Sequence, residues 1–420
     1  MKKNISTNIF SEIGELEGVI VHTPGQEVEN MTPQNVERAL YSDILNLSVA
    51  SKEYRQFKYV LDKLSTTYEV KDLLKTVLKN EKVKEHLIKK ICKNEDVINL
   101  KDYLLDLNED EMATQLIEGV PLQKNTLTNF LSKERYSLKP LHNFFFTRDA
   151  TVPVFNDVFV GRMASTVRQR ETLIMETIFD FHPSFSTKTF NAAVLKPDNQ
   201  NIAIEGGDLL VARDDILLMG IGSRTTSQGV DFLLENIKSK KEKIHLIIQE
   251  LPLTPESFIH LDMVFTLLDK ETCMIYDPVI MKMNKYHTVH IYAEGGNVKY
   301  IREEKNMLQA LDKAGMKLKP LYCGGRKDQW AQEREQWHSG ANFFAVAPGK
   351  VIGYARNTHT VGELSQNGFE IIKASDIIKE RINPADYDKY LVTLDGSELP
   401  RGGGGARCMT MPVCRKPVNW

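Results

Sequence analysis

This chain has few cysteines, almost no net charge and no long apolar run, and each scarcity removes a class of protein. Its five cysteines, Cys92, Cys273, Cys323, Cys408 and Cys414, are odd in number, scattered and never spaced CxxC. Neither a disulfide framework nor a zinc site is therefore expected, and at least one thiol is left over. The 54 basic and 56 acidic residues nearly cancel, to a net charge of -2, so no global field steers the chain to nucleic acid or to a membrane surface. No stretch is long enough in apolar residues to span a bilayer, and the basic opening Met1-Lys2-Lys3 leads into no signal-like apolar run. Cytoplasmic residence is the expectation. What is present is 420 residues of ordinary globular composition, 42% hydrophobic and 26% charged, enough for a substantial core and suited to a small-molecule partner.

The pattern changes along the chain. Residues 33–135 read as helical, with Leu40, Ile44, Leu47 and Leu87, Ile88, Ile91 at helical spacing among lysines and glutamates. Thr32-Pro33 reads as a cap with proline at the first helical position, and Asn108 with Glu111 and Gly119-Val120-Pro121 bracket a later short helix. The charge run 82–93 reads as a solvated helix face. From about 140 onward, short apolar runs alternate with turns. The spacing predicts strands at 202–204, 209–211 and 216–219, a tight turn at 205–208, and a helix carrying Val230, Leu233, Leu234 and Ile237, followed by a run at 244–251. The same order recurs at 158–179 and 343–366, and 18–22 fits one such unit. These are divergent strand-strand-helix-strand modules arranged around an axis. With no linker in view, the expected layout is one catalytic α/β unit, residues 1–32 and 136–420, with a helical insertion over 33–135.

Five polar clusters carry the chemistry. Asn143-Phe144-Phe145-Phe146-Thr147-Arg148-Asp149 reads as an aromatic strand delivering Asp149 to a pocket rim. Glu205-Gly206-Gly207-Asp208 reads as a hairpin turn between two carboxylates, with Glu205 partly buried and in need of a partner. His260 and Asp262, two apart, share one face of a strand as an acid/base element. Arg168 and Arg170 near the start of one module's helix, and Arg224 before the next, suit a carboxylate. Finally, Arg401-Gly402-Gly403-Gly404-Gly405-Ala406-Arg407-Cys408 places a thiol behind four glycines, where backbone can approach a ligand closely. Each cluster alone also has a plain structural reading: core strand, hairpin turn, surface arginine, flexible tail. With one strong histidine and no HxxxH spacing, no metal site is expected. A thiol, a histidine and several carboxylates together suit a planar, cationic substrate, which completes the hydrogen bonds of buried acids and favours the thiolate.

Taken in order, residues 143–149, Arg168-Gln169-Arg170-Glu171-Thr172, 205–208, His260-Leu261-Asp262 and Arg407-Cys408-Met409-Thr410-Met411-Pro412 resemble the signatures of bacterial arginine deiminase. So do Ser11-Glu12-Ile13-Gly14-Glu15-Leu16, Val21-His22-Thr23-Pro24-Gly25 and Arg334-Glu335-Gln336-Trp337. The resemblance covers nearly the whole chain. It implies a five-bladed α/β propeller, the pentein fold of ββαβ modules with an inserted helical domain, and hydrolysis of L-arginine to L-citrulline and ammonia without cofactor or metal. By the same resemblance Cys408 attacks the guanidinium carbon and a thiouronium intermediate forms. His260 first protonates ammonia and then activates water. Asp149, Asp262 and Glu205 hold the guanidinium, while Asn143, Arg168 and Arg224 bind the substrate carboxylate. Asp208 and Gly402 are carried as substrate-binding, and a homo-oligomer, dimer or larger, is implied. An amidinotransferase of the same superfamily and a non-catalytic arginine-binding protein are the alternatives. The chain departs from the family at Gly403, five residues before Cys408, where many members carry a second loop arginine. Either Arg401 or Arg407 takes over its contact, or the pocket holds one charge fewer.

Overall fold

A computed structural model of the chain describes residues 5–33, 41, 43–196 and 198–420. Leu40 and the helix expected after Thr32-Pro33 lie outside them.

The module order is visible in the hydrogen bonding. Thr151–Val154 and Asp157–Val160 form an antiparallel hairpin, the helix Gln169–Phe181 follows, and Lys188–Asn191 returns parallel to the second strand. Leu209–Arg213, Ile216–Ile221, the helix Ser227–Ile237 and Lys243–Glu250 repeat that path. So do Phe265–Leu267, Thr272–Ile275, Met307–Lys313 and Lys319–Tyr322. In the next unit Phe344–Ala347 and Lys350–Tyr354 precede the helix Thr358–Gln366, and Tyr390–Leu394 pairs parallel to the second strand with Glu370–Lys373 beyond it. Apolar side chains set this order. In the second unit Leu209, Val211, Leu217 and Met219 share one buried cluster with Val230, Leu233 and Ile237 of the helix, so the helix returns the chain across the hairpin to bury its apolar face.

Leu16–Val21 joins the two ends of the chain: it pairs antiparallel with Met411–Arg415 and parallel with Thr66–Glu69. Between residues 47 and 131 the chain is mainly helical. The helices Leu47–Leu64, Glu81–Asn94 and Glu109–Glu118 each start at an asparagine, Asn46, Asn80 or Asn108, whose side chain accepts two backbone N–H groups. Such caps contribute about 1 kcal/mol each. Leu74 of the helix Val70–Leu78, Leu87 and Ile91 of Glu81–Asn94 and Leu116 of Glu109–Glu118 share a core with Ile174, Met175 and Ile178, while Tyr54, Phe57 and Leu61 of Leu47–Leu64 share one with Phe344, Ile352 and Val392, so this region packs on the modules and does not stand apart. Among the described residues no helix is long and apolar enough to cross a membrane.

Three local expectations fail, all beside the candidate site residues. Residues 143–149 form successive turns, with Phe144 N donating to Leu141 O and Phe146 N to Asn143 O. Three consecutive buried rings then serve two cores, Phe144 one and Phe145 and Phe146 another, which the strict alternation of a strand does not allow. Residues 202–204 make no strand beyond one bridge, Arg162 to Ile204, and 206–208 form a 3-10 turn in place of a hairpin turn. His260 and Asp262 lie on no strand: His260 is extended and opens the 3-10 turn Leu261–Met263. Polar side chains explain the last two, because Asp208 Oδ1 accepts Leu261 N–H at 2.9 Å and locks one turn onto the other.

Candidate active site

Four turns converge here. Gly206 N donates to Asp149 O at 3.1 Å and Arg148 N to Cys408 O at 3.2 Å, so the backbone joins the segments that carry Glu205, Asp149 and the thiol. Glycine is required at the closest approaches. A Cβ on Gly207 would lie inside van der Waals contact of the His260 ring, and one on Gly206 would overlap the Arg148 carbonyl.

His260 forms the centre of an ion-pair network. Its Nε2 lies 3.0 Å from Glu205 Oε2 and its Nδ1 3.7 Å from Asp149 Oδ1. Burial works against the imidazolium, but Asp149, Glu205 and Asp208 outweigh it and hold the group up at about 9. At neutral pH the ring is charged and carries protons on both nitrogens. Asp149 and Glu205 are held below the usual carboxylate range: burial opposes this, and His260 with the nearby arginines prevails. Asp208, fully buried, is pushed by that burial up to about 6.

The thiol lies near enough to this network for the charge of Asp149 to act on it. Cys408 Sγ lies 3.7 and 3.9 Å from the two Asp262 oxygens. Burial, then the charges of Asp262 and Asp149, push the thiol well above its ordinary range, so it stays protonated until a cation joins it. Asp262 is anchored behind by Arg407, whose Nη1 donates to Oδ2 at 2.7 Å while its Nε donates to Glu12 Oε2 at 3.1 Å.

Asp149, Glu205 and His260 offer ligand atoms within 4.8 Å of one another, the spacing of a metal site. The donor set argues against that use, since a histidine held as imidazolium between two acids has no lone pair to give. Asp149 Oδ1 is buried without a hydrogen-bond donor, and such an acceptor gains most from the N–H of a guanidinium.

At the outer end, Arg168 Nη1 donates to Asp149 Oδ2 at 2.6 Å, and its Nε and Nη2 form a fork on Glu171 at 3.1 and 2.8 Å. Its Nη2 also reaches Asn143 O at 3.4 Å. Arg224 approaches Glu205 Oε1 at 4.0 Å with its side chain 12% exposed. With Ile259, Trp337, Pro400, Gly402 and Gly403 it lines a cleft of about 30 Å³, too small for an amino acid. The expected site residues are thus together, Gly402 at the rim. Arg170 is the exception among the paired arginines and turns away to Glu95 at 3.0 Å.

Neither substitute for the loop arginine is available at Gly403. Arg401 pairs with Asp43 and Glu398, and Arg407 is committed to Glu12 and Asp262. Gly403 itself sits at φ +87° with open space where a side chain would be.

The sequence reading missed Asn342. Its Oδ1 accepts Arg407 N at 3.0 Å and Cys408 N at 3.4 Å, while its Nδ2 donates to Asp262 O at 3.0 Å and Cys408 Sγ at 3.2 Å. One buried amide fixes the Cys408 thiol against Asp262. An asparagine ahead of an apolar run carries no spacing signal, so only the folded contact reveals it. Asn342→Leu keeps the bulk and removes all four contacts. Its kcat is expected to fall roughly 100-fold with little change in KM, as for a misplaced reactive group; steady-state kinetics would check this, and an unchanged kcat would exclude the role.

Residues 37–415 match the family model described as arginine deiminase. The arginine deiminase of Listeria monocytogenes serotype 4b (strain F2365) is 33% identical over 437 residues, covering 100% of both chains. That of Bacillus cereus (strain B4264) is 31% identical over 430 residues, covering 98% of this chain and 99% of the other. Among solved structures, a dimethylarginine dimethylaminohydrolase adduct with S-methyl-L-thiocitrulline aligns at TM-score 0.51 and 13% identity, covering 94% of this chain and 99% of that one. The N-terminal domain of ArgZ, covalently bound to a reaction intermediate, aligns at TM-score 0.52 and 13% identity over 95% and 98%. SxtG, an amidinotransferase from Microseira wollei, aligns at TM-score 0.55 and 13% identity over 98% of each chain.

Proposed function

The chain belongs to the arginine deiminase family, and from that membership and the site geometry we propose how its residues hydrolyse L-arginine to L-citrulline and ammonia. The fold is the α/β fold of its pentein neighbours; we read its modules as five blades about the site, with residues 33–135 as an insertion. The observation that carries the chemistry is the buried thiol 3.7 Å from Asp262, under the charge of Asp149, which itself belongs to the His260 and Glu205 network.

The substrate guanidinium lies between Asp149 and Asp262, with Glu205 completing its hydrogen bonds. To enter, it takes an oxygen of Asp149 from Arg168, and the released Arg168 turns with Arg224 and Asn143 to the substrate carboxylate. The new cation lowers the cost of the thiolate beside it, and the thiol proton passes to solvent as the S–H bond breaks. Sulfur attacks the guanidinium carbon, and the C–N bond breaks as His260 gives its proton to the departing nitrogen, leaving ammonia and a thiouronium. His260, now neutral, takes a proton from water as the oxygen attacks. The C–S bond then breaks to release citrulline and restore the thiol. Asp208 steadies the turn that holds His260, and Gly402 leaves room for backbone at the rim. A cytoplasmic setting fits a buried, unmodified thiol nucleophile.

The test is the product assay. Purified protein is expected to convert L-arginine to citrulline and ammonia in equal amounts; ornithine appearing with an added amine would instead identify an amidinotransferase, and no turnover an inert binder. A second expectation concerns pH. The reaction needs the thiol to lose a proton and His260, whose group sits near 9, to keep one, and the free thiol stays protonated well above its ordinary range, so kcat/KM should rise about tenfold per unit up to the His260 value and level off above it. Activity that keeps rising to more alkaline pH would remove His260 as the acid.

A further inference from the structure

Residues 395–401 lead into the glycine run before Cys408, and they are held from outside the modules. Glu53, on the helix Leu47–Leu64, is 4% exposed and accepts from three consecutive backbone N–H groups of this stem. Its Oε1 takes Ser397 N at 2.7 Å, Ser397 Oγ at 2.5 Å and Glu398 N at 3.1 Å, while its Oε2 takes Glu398 N at 3.1 Å and Leu399 N at 2.9 Å. A buried carboxylate is tolerated when its oxygens are this well bonded. The contact ties the acid and the stem to each other.

Neighbouring groups grip the same stretch. Gln56 lies three residues on, on the same helix face; its Nε2 donates to Asp395 Oδ2 at 2.9 Å and its Oε1 accepts Asp395 N at 3.4 Å. Asn46, which caps this helix, donates its N–H to Glu398 Oε1 at 2.5 Å. Asp43 accepts from Arg401 Nε at 3.0 Å.

The stem runs into the rim of the site. Leu399–Gly402 form a 3-10 turn, and Pro400, Gly402 and Gly403 line the cleft with Arg224, Ile259 and Trp337. Gly402 to Gly405 lack the side chains that would restrict their backbone, so their course depends on what holds the two ends. The far end is fixed by Asn342, which accepts the N–H groups of Arg407 and Cys408. Between the ends, Tyr354 Oη donates to Gly404 O at 3.1 Å. The loop thus has one anchor at its stem and another at the thiol.

We propose that Glu53 is a positioning residue for arginine hydrolysis: it fixes the stem at Ser397, Glu398 and Leu399, and through it the rim at Gly402 and Gly403 beside Arg224. This rests on the reading of the site given above. The two anchors divide the work. Asn342 bears on Cys408 and hence on kcat, whereas Glu53 bears on the rim that receives the outer end of the substrate, and hence on KM. A helix outside the modules thereby takes part in the reaction.

Steady-state kinetics combined with hydrogen exchange read by mass spectrometry tests this. Glu53→Gln keeps the shape and sets an NH2 group against backbone donors. KM for L-arginine is expected to rise about tenfold while kcat stays within about threefold, and amides 397–405 should exchange about tenfold faster. Val60→Ala is the control: two turns along the same helix and buried, it removes packing and no hydrogen bond. It should lower the melting temperature and leave KM and that exchange as in wild type. Should Glu53→Gln not fold, Gln56→Ala, at a half-buried position, decides by the same two readings, with KM raised about threefold. An unmoved KM in the folded variant would overturn the proposal, as would an equal rise from Val60→Ala or a fall in kcat at constant KM. Absence of turnover in wild type would fall on the chemistry assigned to the site, whereas normal wild-type turnover with an unmoved KM in the variant falls on Glu53 alone.

Discussion

Cys408→Ala is expected to abolish citrulline formation, with a loss on the order of 10⁴-fold or more in kcat, because no other group in the site can form the bond to carbon. Asp262 and Asp149 would still hold a guanidinium, so the variant should bind L-arginine and not turn it over. It should bind more tightly than an uncharged analogue such as citrulline, since the buried acids are left short of donors by the neutral ligand. The measurement is paired: product release by colorimetry and binding by calorimetry on the same preparation. Substantial residual turnover would remove sulfur from the mechanism. Loss of both binding and turnover would instead show that the substitution disturbed the turn that Asn342 holds. A single-turnover experiment on wild type should meanwhile trap a labelled covalent adduct on Cys408 after acid quench.

Arg224→Ala is expected to lower kcat/KM for L-arginine by roughly 10² to 10³ while changing use of agmatine far less, since a fork on a carboxylate is a strong, charge-assisted contact that agmatine cannot make. Arg168→Ala should show the same preference with a larger loss, because Arg168 also neutralises Asp149 and Glu171, and its removal leaves buried acids without their partner. Comparing the two separates recognition from neutralisation. A loss confined to L-arginine reads the carboxylate, and a loss shared by both compounds reads the buried acids. Equal losses on both compounds in the Arg224 variant would discard the assignment. The side chain missing at Gly403 makes this contrast sharper here, as fewer rim charges remain to compensate.

The sequence made the module order legible because burial of apolar faces sets it. Val230, Leu233, Leu234 and Ile237 fall at helical spacing and the helix forms over Ser227–Ile237. The failures have a common physical origin. Residues 143–149, 205–208 and 260–262 look like strands or hairpin turns by local pattern, yet each is bent by a contact with a distant segment: Cys408 O on Arg148 N, Asp149 O on Gly206 N, Asp208 on Leu261 N. Local propensity is outweighed where function concentrates polar groups. His260 and Asp262 were paired on one strand face; in the fold they belong to different networks, His260 with Glu205 and Asp149 and Asp262 with Arg407. The sequence suggests Arg168 as a carboxylate reader, and its grip on Asp149 is a tertiary fact with no trace in spacing. The hairpin 288–304 was not anticipated, since its extra strands pair with a neighbouring module.

Glu12 reaches Arg407, the residue beside Cys408, and Leu16–Val21 pairs with Met411–Arg415. A nascent polypeptide therefore has no working centre until residues 407–415 have left the ribosomal tunnel, and a protease cut that frees either of these segments should silence the molecule even if every module survives. Substitutions that loosen either segment act on the same clasp, and turnover becomes a direct readout of whether both segments are home.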